Sequence, residues 1–103
     1  METTKFDYVA VKIAAKILRA INHKDVRQKM LKVIEENKSI GVTDLYVKLR
    51  LEQSVASQHL AILREANVVK TKRDGKNINY LLNHDRIATI AGFVDNIEQL
   101  QEN

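Results

Sequence analysis

Cysteine is absent from the 103 residues, and with it go disulfides, thiol catalysis, thiolate metal sites and cysteine redox sensing. Proline is also absent and glycine occurs only three times, so long helices can run without interruption. No run of about 18 apolar residues occurs, which excludes a membrane-spanning helix. The opening residues, Met1 to Tyr8, contain no apolar signal core, so the expected location is cytoplasmic. What is present is a globular composition, 45% apolar and 29% charged. At this length a single domain over residues 1–103 is expected.

The formal net charge is +4. That excess permits a polyanionic partner without proving one. Its distribution says more than its sum. Residues 1–41 hold nine basic against five acidic side chains, residues 42–82 seven against four, and residues 83–103 one against four. The middle of the chain can face a polyanion and the acidic end cannot.

Phe6, Val9, Ile13, Ile17 and Ile21 recur every three or four residues, which predicts a first helix from near Thr4. Ala10, Ala14 and Leu18 widen its stripe. Asn22 is a candidate N-cap for a second helix, with Asp25 in its first turn. Val26, Met30, Val33 and Ile34 form that helix's inner face. Lys24, Arg27, Lys29 and Lys32 are expected in solvent, as is His23, and Asn37 is expected to close the helix in the left-handed conformation. Residues 39–42 are short and extended. Thr43 then suggests an N-cap, and Leu45, Leu49 and Leu51 mark a short third helix and the turn after it. A fourth helix over residues 54–66 has Ala56, Leu60 and Leu63 inside, helped by Val55 and Ile62.

After Asn67 the hydrophobic period changes from 3.6 to 2. Val69, Thr71 and Arg73 alternate with Lys70 and Lys72, and Ile78, Tyr80 and Leu82 alternate with Asn77 and Asn79. Asp74-Gly75 between them is a strong hairpin signal. A final helix from Asn83 carries Ile87, Ile90, Ala91, Val94, Ile97 and Leu100. Two short helices joined by a tight turn and followed at once by a hairpin make a winged helix-turn-helix, a mainly α fold with five helices and a β-hairpin wing.

In that arrangement the second helix of the pair turns one face to the core and the other to base edges. With Ala56, Leu60 and Leu63 inside, the outward residues are Ser54, Ser57, Gln58, Ala61 and Arg64. Gln can bond adenine with both ends of its amide, Arg can bond guanine or phosphate, Ser can serve either, and Ala61 leaves room for a thymine methyl. An ordinary solvated helix face would also be polar, but the neighbouring hairpin is basic. Lys70, Lys72, Arg73 and Lys76 stand against Asp74 alone, a bias suited to salt-sensitive phosphate contacts along the backbone or in the minor groove.

Residues 45–82 resemble the ArsR-type family of bacterial metalloregulators and their metal-free relatives. The resemblance is carried by Asp44-Leu45, Leu49 and Leu51, the run Gln53-Ser54-Val55-Ala56-Ser57-Gln58-His59-Leu60, then Leu63 to Val69, and Arg73-Asp74-Gly75-Lys76 up to Tyr80. It implies a homodimeric transcription regulator, usually a repressor; a DNA-binding regulator of this kind is expected on a palindromic operator with half-sites about one helical turn apart. It also implies that the first and last helices pair across the dimer, through Phe6, Val9, Ile13, Ile17, Ile87, Ile90, Val94 and Ile97. A separate consideration agrees, since so short a chain has little interior in which to bury two such stripes. The candidate DNA-binding residues are thus Gln53, Ser54, Ser57, Gln58, His59 and Arg64 of the helix, with Lys70, Lys72, Arg73 and Lys76 of the wing. His59 holds the family's His position, for packing or for a phosphate contact.

The departures from the family matter too. Its metal sensors often carry cysteines just before the first helix of the motif, where this chain has Gly41 and Thr43. Others bind zinc on the last helix with paired Asp and His; here His84 and Asp85 open that helix and Glu98 and Glu102 end it, with no second His. No metal and no cofactor are expected. Glu52 replaces the usual Ser cap, and Asn67 replaces a Gly. No nucleophile with its base, no paired carboxylates and no phosphate loop point to an enzyme. The alternative to a DNA-binding regulator is a winged-helix protein-interaction module that has lost DNA binding.

Overall fold

The computed structural model describes residues 7–102. The elements run α1 (Tyr8–Ile21), α2 (Arg27–Asn37), β1 (Ile40–Gly41), α3 (Val42–Leu49), α4 (Gln53–Glu65), β2 (Val69–Asp74), β3 (Asn77–Leu82) and α5 (His84–Glu98), with a closing 3-10 turn at Gln99–Glu102. This is the five-helix winged helix-turn-helix expected from the sequence.

Apolar periodicity places the core. Met30 and Ile34 of α2, Leu45 of α3, and Ala56, Leu60 and Leu63 of α4 meet Ile40, Val69 and Leu82 of the sheet in one buried cluster. The strands are antiparallel in the order β1-β3-β2. Val69 pairs with Leu82 and Thr71 with Tyr80, so alternate residues of the hairpin face this cluster while Lys70 and Lys72 face solvent. Asp74 pairs with Asn77, leaving Gly75 and Lys76 as a two-residue loop, one position later than Asp74-Gly75 suggests. Gly75 has φ +62°, the left-handed value that such loops ask of their first central residue.

Local polar groups explain where the helix ends depart from expectation. Asp7 caps α1, its carboxylate accepting from the Ala10 N–H at 3.0 Å; Thr4 lies outside the described residues. Asn22 does not start α2 but closes α1, its N–H bonded to the Leu18 carbonyl. The polar atom at the next turn comes from His23, whose Nδ1 accepts from the Val26 N–H at 3.3 Å. Lys38, not Asn37, takes the positive φ after α2, while the Asn37 amide donates back to the Val33 carbonyl. Helix α3 starts at Val42, with Gly41 as its extended cap and Thr43 already inside the first turn. Pairing of β1 with β3, Ile40 to Tyr80 and Gly41 to Asn79, holds Gly41 extended and moves the start forward.

Two joints fix the site. Arg50 in the left-handed conformation ends α3, and residues 50–52 form the tight turn into α4. At the other end of α4, Asn67 sits at φ +61°, its N–H reaching the Arg64 carbonyl and that of Val68 the Leu63 carbonyl. This is a Schellman motif, and it launches β2 directly from α4. Asn83 ties α5 to the same corner, donating from its side chain to the Asn67 carbonyl and accepting from the Arg86 N–H.

The terminal helices extend beyond this body. The radius of gyration is 16.2 Å, against about 13 Å for a compact domain of this length. Helix α5 has no fully buried residue and α1 has only Ala20. No helix among the described residues is long and apolar enough to cross a membrane.

Candidate nucleic-acid interface

Helix α4 is two-sided. Ala56, Leu60 and Leu63 are buried, and Gln53, Ser54, Ser57, Gln58, Ala61 and Arg64 are all exposed. The core anchors three positions spaced four and three residues apart, so the i+1 and i+2 neighbours must turn outward. Glu52 caps the helix by backbone geometry only, without a side-chain hydrogen bond, consistent with Glu being a poor N-cap. Val55 is half-buried, while Ile62 turns partly outward.

Lys70, Lys72, Arg73 and Lys76 are all exposed on β2 and the wing loop. The Lys16–Glu65 contact, at 3.2 Å, is the one ion pair among the described residues, so no carboxylate engages these wing cations. They remain available to phosphate oxygens. The Schellman corner keeps this charged ribbon attached to the end of α4.

His59 departs from that outward face. It is half-buried, its Nδ1 lies 3.0 Å from Nη1 of Arg27, and its ring centroid is 4.8 Å from that of His23. Packing, one of the two roles open for it, is what this geometry provides; the ring does not share the exposed stripe. Arg27 and His23, both expected in solvent, are half-buried as well. The Arg27 guanidinium donates to the carbonyls of Ala20 and Arg19 at the end of α1 and to His59 on α4. A guanidinium only donates, so Nδ1 must accept and the ring proton sits on Nε2.

Burial first, then the charges of His23 and Arg27, hold the His59 pKa below its ordinary value of 6.5. Unfolded His59 takes up a proton as pH falls through about 6.5, while the folded ring resists it. The unfolded state then binds more protons, so this contribution to stability is present above 6.5 and is lost as pH falls below it. Urea midpoints at pH 7.5 and pH 5.5 check this: the wild type should lose more stability between them than His59→Gln. An equal loss in both proteins would assign the acid sensitivity to other groups.

At the proposed pairing helices, Val9, Ile13 and Ile97 are 69%, 55% and 47% exposed. Ile17, Ile87, Ile90 and Val94 are half-buried, and Phe6 lies outside the described residues. Ile87 and Ile90 pack against Ala20, Ala66 and Val68 of the same chain, so they serve its own core at least in part. The sequence stripe missed Val11 and Phe93, both exposed. With Ala10, Ala14, Ala15, Leu18 and Ile97 they line an apolar groove of about 480 Å³ between α1 and α5. Among the described residues no three of His, Asp and Glu gather as a metal-ligand group. His84 and Glu98 stand at opposite ends of α5, roughly four turns apart.

Comparison with known proteins agrees with this geometry. The family described as "Bacterial regulatory protein, arsR family" matches residues 24–71, from just before α2 into β2. The transcriptional repressor PagR of Bacillus anthracis is 30% identical over 94 residues, covering 91% of this chain and 93% of PagR. The crystal structure of NolR from Sinorhizobium fredii superposes with a TM-score of 0.74 at 32% identity, covering 94% of this chain and 96% of that one. A homodimeric winged helix-turn-helix DNA-binding domain from Mycobacterium bovis shares the fold, with a TM-score of 0.72 at 18% identity over 96% of this chain and 91% of that one. The matched family and PagR are regulatory proteins rather than enzymes. With an exposed polar face on α4, a cationic wing and relatives that span nearly its whole length, the chain belongs to the ArsR family of transcriptional regulators.

Proposed function

We propose that this protein is a cytoplasmic, sequence-specific repressor that binds a palindromic duplex operator as a homodimer, with residues 1–103 forming one DNA-binding domain. The observation that carries this reading is the polar stripe of Ser54, Ser57 and Gln58 on α4, exposed beside a wing whose cations have no carboxylate partners among the described residues. Ser54, Ser57 and Gln58 enter the major groove, Gln58 bonding adenine, while Gln53 and Arg64 flank them on bases or phosphates. Lys70, Lys72, Arg73 and Lys76 hold the sugar-phosphate backbone. His59 contributes by holding α4 against Arg27 rather than by touching DNA. Repression is inferred from the likeness to PagR, a transcriptional repressor.

The second copy is proposed to cover the apolar groove between α1 and α5, which would set two recognition helices against two half-sites. Ile97→Glu should place a charge in that groove without touching the buried cluster. The expected result is a monomer by sedimentation with unchanged helical circular dichroism; a dimer of wild-type strength would remove Ile97 from the interface. The operator itself is tested by selection of bound duplex from a random pool. An inverted repeat with half-sites about one helical turn apart is expected, and recovery of no shared sequence would contradict sequence-specific binding.

A further inference from the structure

We propose that the cleft between α1, the C-terminal half of α4 and the start of α5 is a binding site for a small amphipathic organic anion, an alkyl or aryl carboxylate. The cleft holds about 660 Å³, within the size range of sites for small organic molecules. One part of its wall is apolar, built from Ile13 and Ile17 of α1, which also belong to the proposed pairing stripe, with Ile62 of α4 and Ala66 just beyond it. The rest carries four cations: Lys16, Arg19, Arg27 and Arg86.

Glu65 is the one carboxylate in the lining, and Lys16 already holds it at 3.2 Å. Among the described residues no carboxylate pairs with Arg19, Arg27 or Arg86. Arg27 and Arg86 are nonetheless half-buried, and the acceptors they reach are neutral ones. Both are oriented by backbone carbonyls rather than by acids. Arg27 donates to Ala20 and Arg19, and Arg86 donates through Nε to Ala66 at 3.2 Å. Anchoring Arg86 through Nε leaves its two Nη groups for an incoming carboxylate, which a guanidinium grips with two parallel bonds.

The apolar wall separates this ligand class from bare phosphate, and the uncompensated cations separate it from neutral hydrocarbon. The site is also distinct from the polar stripe, since none of Ser54, Ser57 and Gln58 lines it. An occupant touches α4 through Ile62, and Arg27 in turn touches His59 on the same helix. Any effect of the occupant on operator binding rests on the proposed function; occupancy itself does not.

The test is a two-dimensional amide NMR titration of the full chain in its native assembly, run separately with octanoate, octanol and inorganic phosphate. Octanoate should produce saturable shifts at Ile17, Ala20, Ala66 and Arg86, with at least tenfold tighter binding than either octanol or phosphate. Arg86→Gln should weaken octanoate at least fivefold and leave octanol unchanged. Arg19→Gln, at an exposed position, should weaken octanoate in the same direction without risk to the fold. The proposal is overturned if octanol or phosphate matches octanoate, or if shifts are confined to the α1–α5 groove. It is equally overturned if no saturable shift occurs at the cleft, as when a second copy fills it.

Discussion

Leu60→Ala is expected to lower the unfolding free energy by about 3 kcal/mol, with the urea midpoint falling and the slope unchanged. Leu60 is 1% exposed and lies among Met30, Ile34, Leu45 and Leu63. Truncation removes three buried carbons and leaves a cavity that the surrounding α2, α3 and sheet cannot all collapse to fill. Domains of this size are stable by roughly 5–15 kcal/mol, so this one change takes a large share of the total. Ala61→Ser, on the exposed face next door, should stay within about 0.5 kcal/mol. A loss below about 1 kcal/mol for Leu60→Ala would mean that α4 does not turn this face to the core, and its outward stripe would be reassigned with it.

Removal of the wing's charge should have the largest effect on DNA binding. The triple variant Lys72→Ala, Arg73→Ala, Lys76→Ala deletes three exposed cations that no carboxylate pairs with among the described residues. Each phosphate contact contributes about 0.9 to the slope of log affinity against log salt concentration. The slope should therefore fall by about 2.7 for each wing engaged, and affinity at about 0.1 M salt by roughly 100-fold or more, on specific and random duplex alike. Gln58→Ala should behave differently. It should keep the salt slope and lose about 1–3 kcal/mol on the preferred sequence alone. Gel shifts over a salt series separate the two, and a uniform loss from Gln58→Ala would remove its base-reading role.

The contrast between these residues and Arg27 shows what a sequence makes legible. Ala56, Leu60 and Leu63 repeat at the helical period, so their inward face and the outward position of Ser57 and Gln58 follow from local geometry. The hairpin is equally local, because the period-2 alternation and Gly75 lie within a few residues of each other. Arg27 and His59 are 32 positions apart. Nothing in the periodicity of α2 shows that a guanidinium at its start reaches back to the carbonyls of α1 and across to α4. The same holds for β1: residues 40 and 41 are visibly extended, but their pairing with β3 is a long-range contact that moves the start of α3. Asn22 misled because a polar side chain suits both the start and the end of a helix, and His23 supplied the acceptor at the next turn, whereas Asn37 does end α2 but donates back to Val33 and leaves the left-handed φ to Lys38. Exposure of Val9, Ile13 and Ile97 is legible only as a surplus of apolar stripe over available interior.

On duplex DNA the outward stripe of α4 and the wing should lie together. Amide NMR shift mapping with a duplex recovered by selection from a random pool reads this residue by residue. The largest perturbations are expected at Ser54, Ser57, Gln58 and Ala61 and along residues 70–76, with α1 and α5 little changed. Perturbations concentrated on α1 and α5, with α4 and the wing unmoved, would place the DNA elsewhere on the molecule.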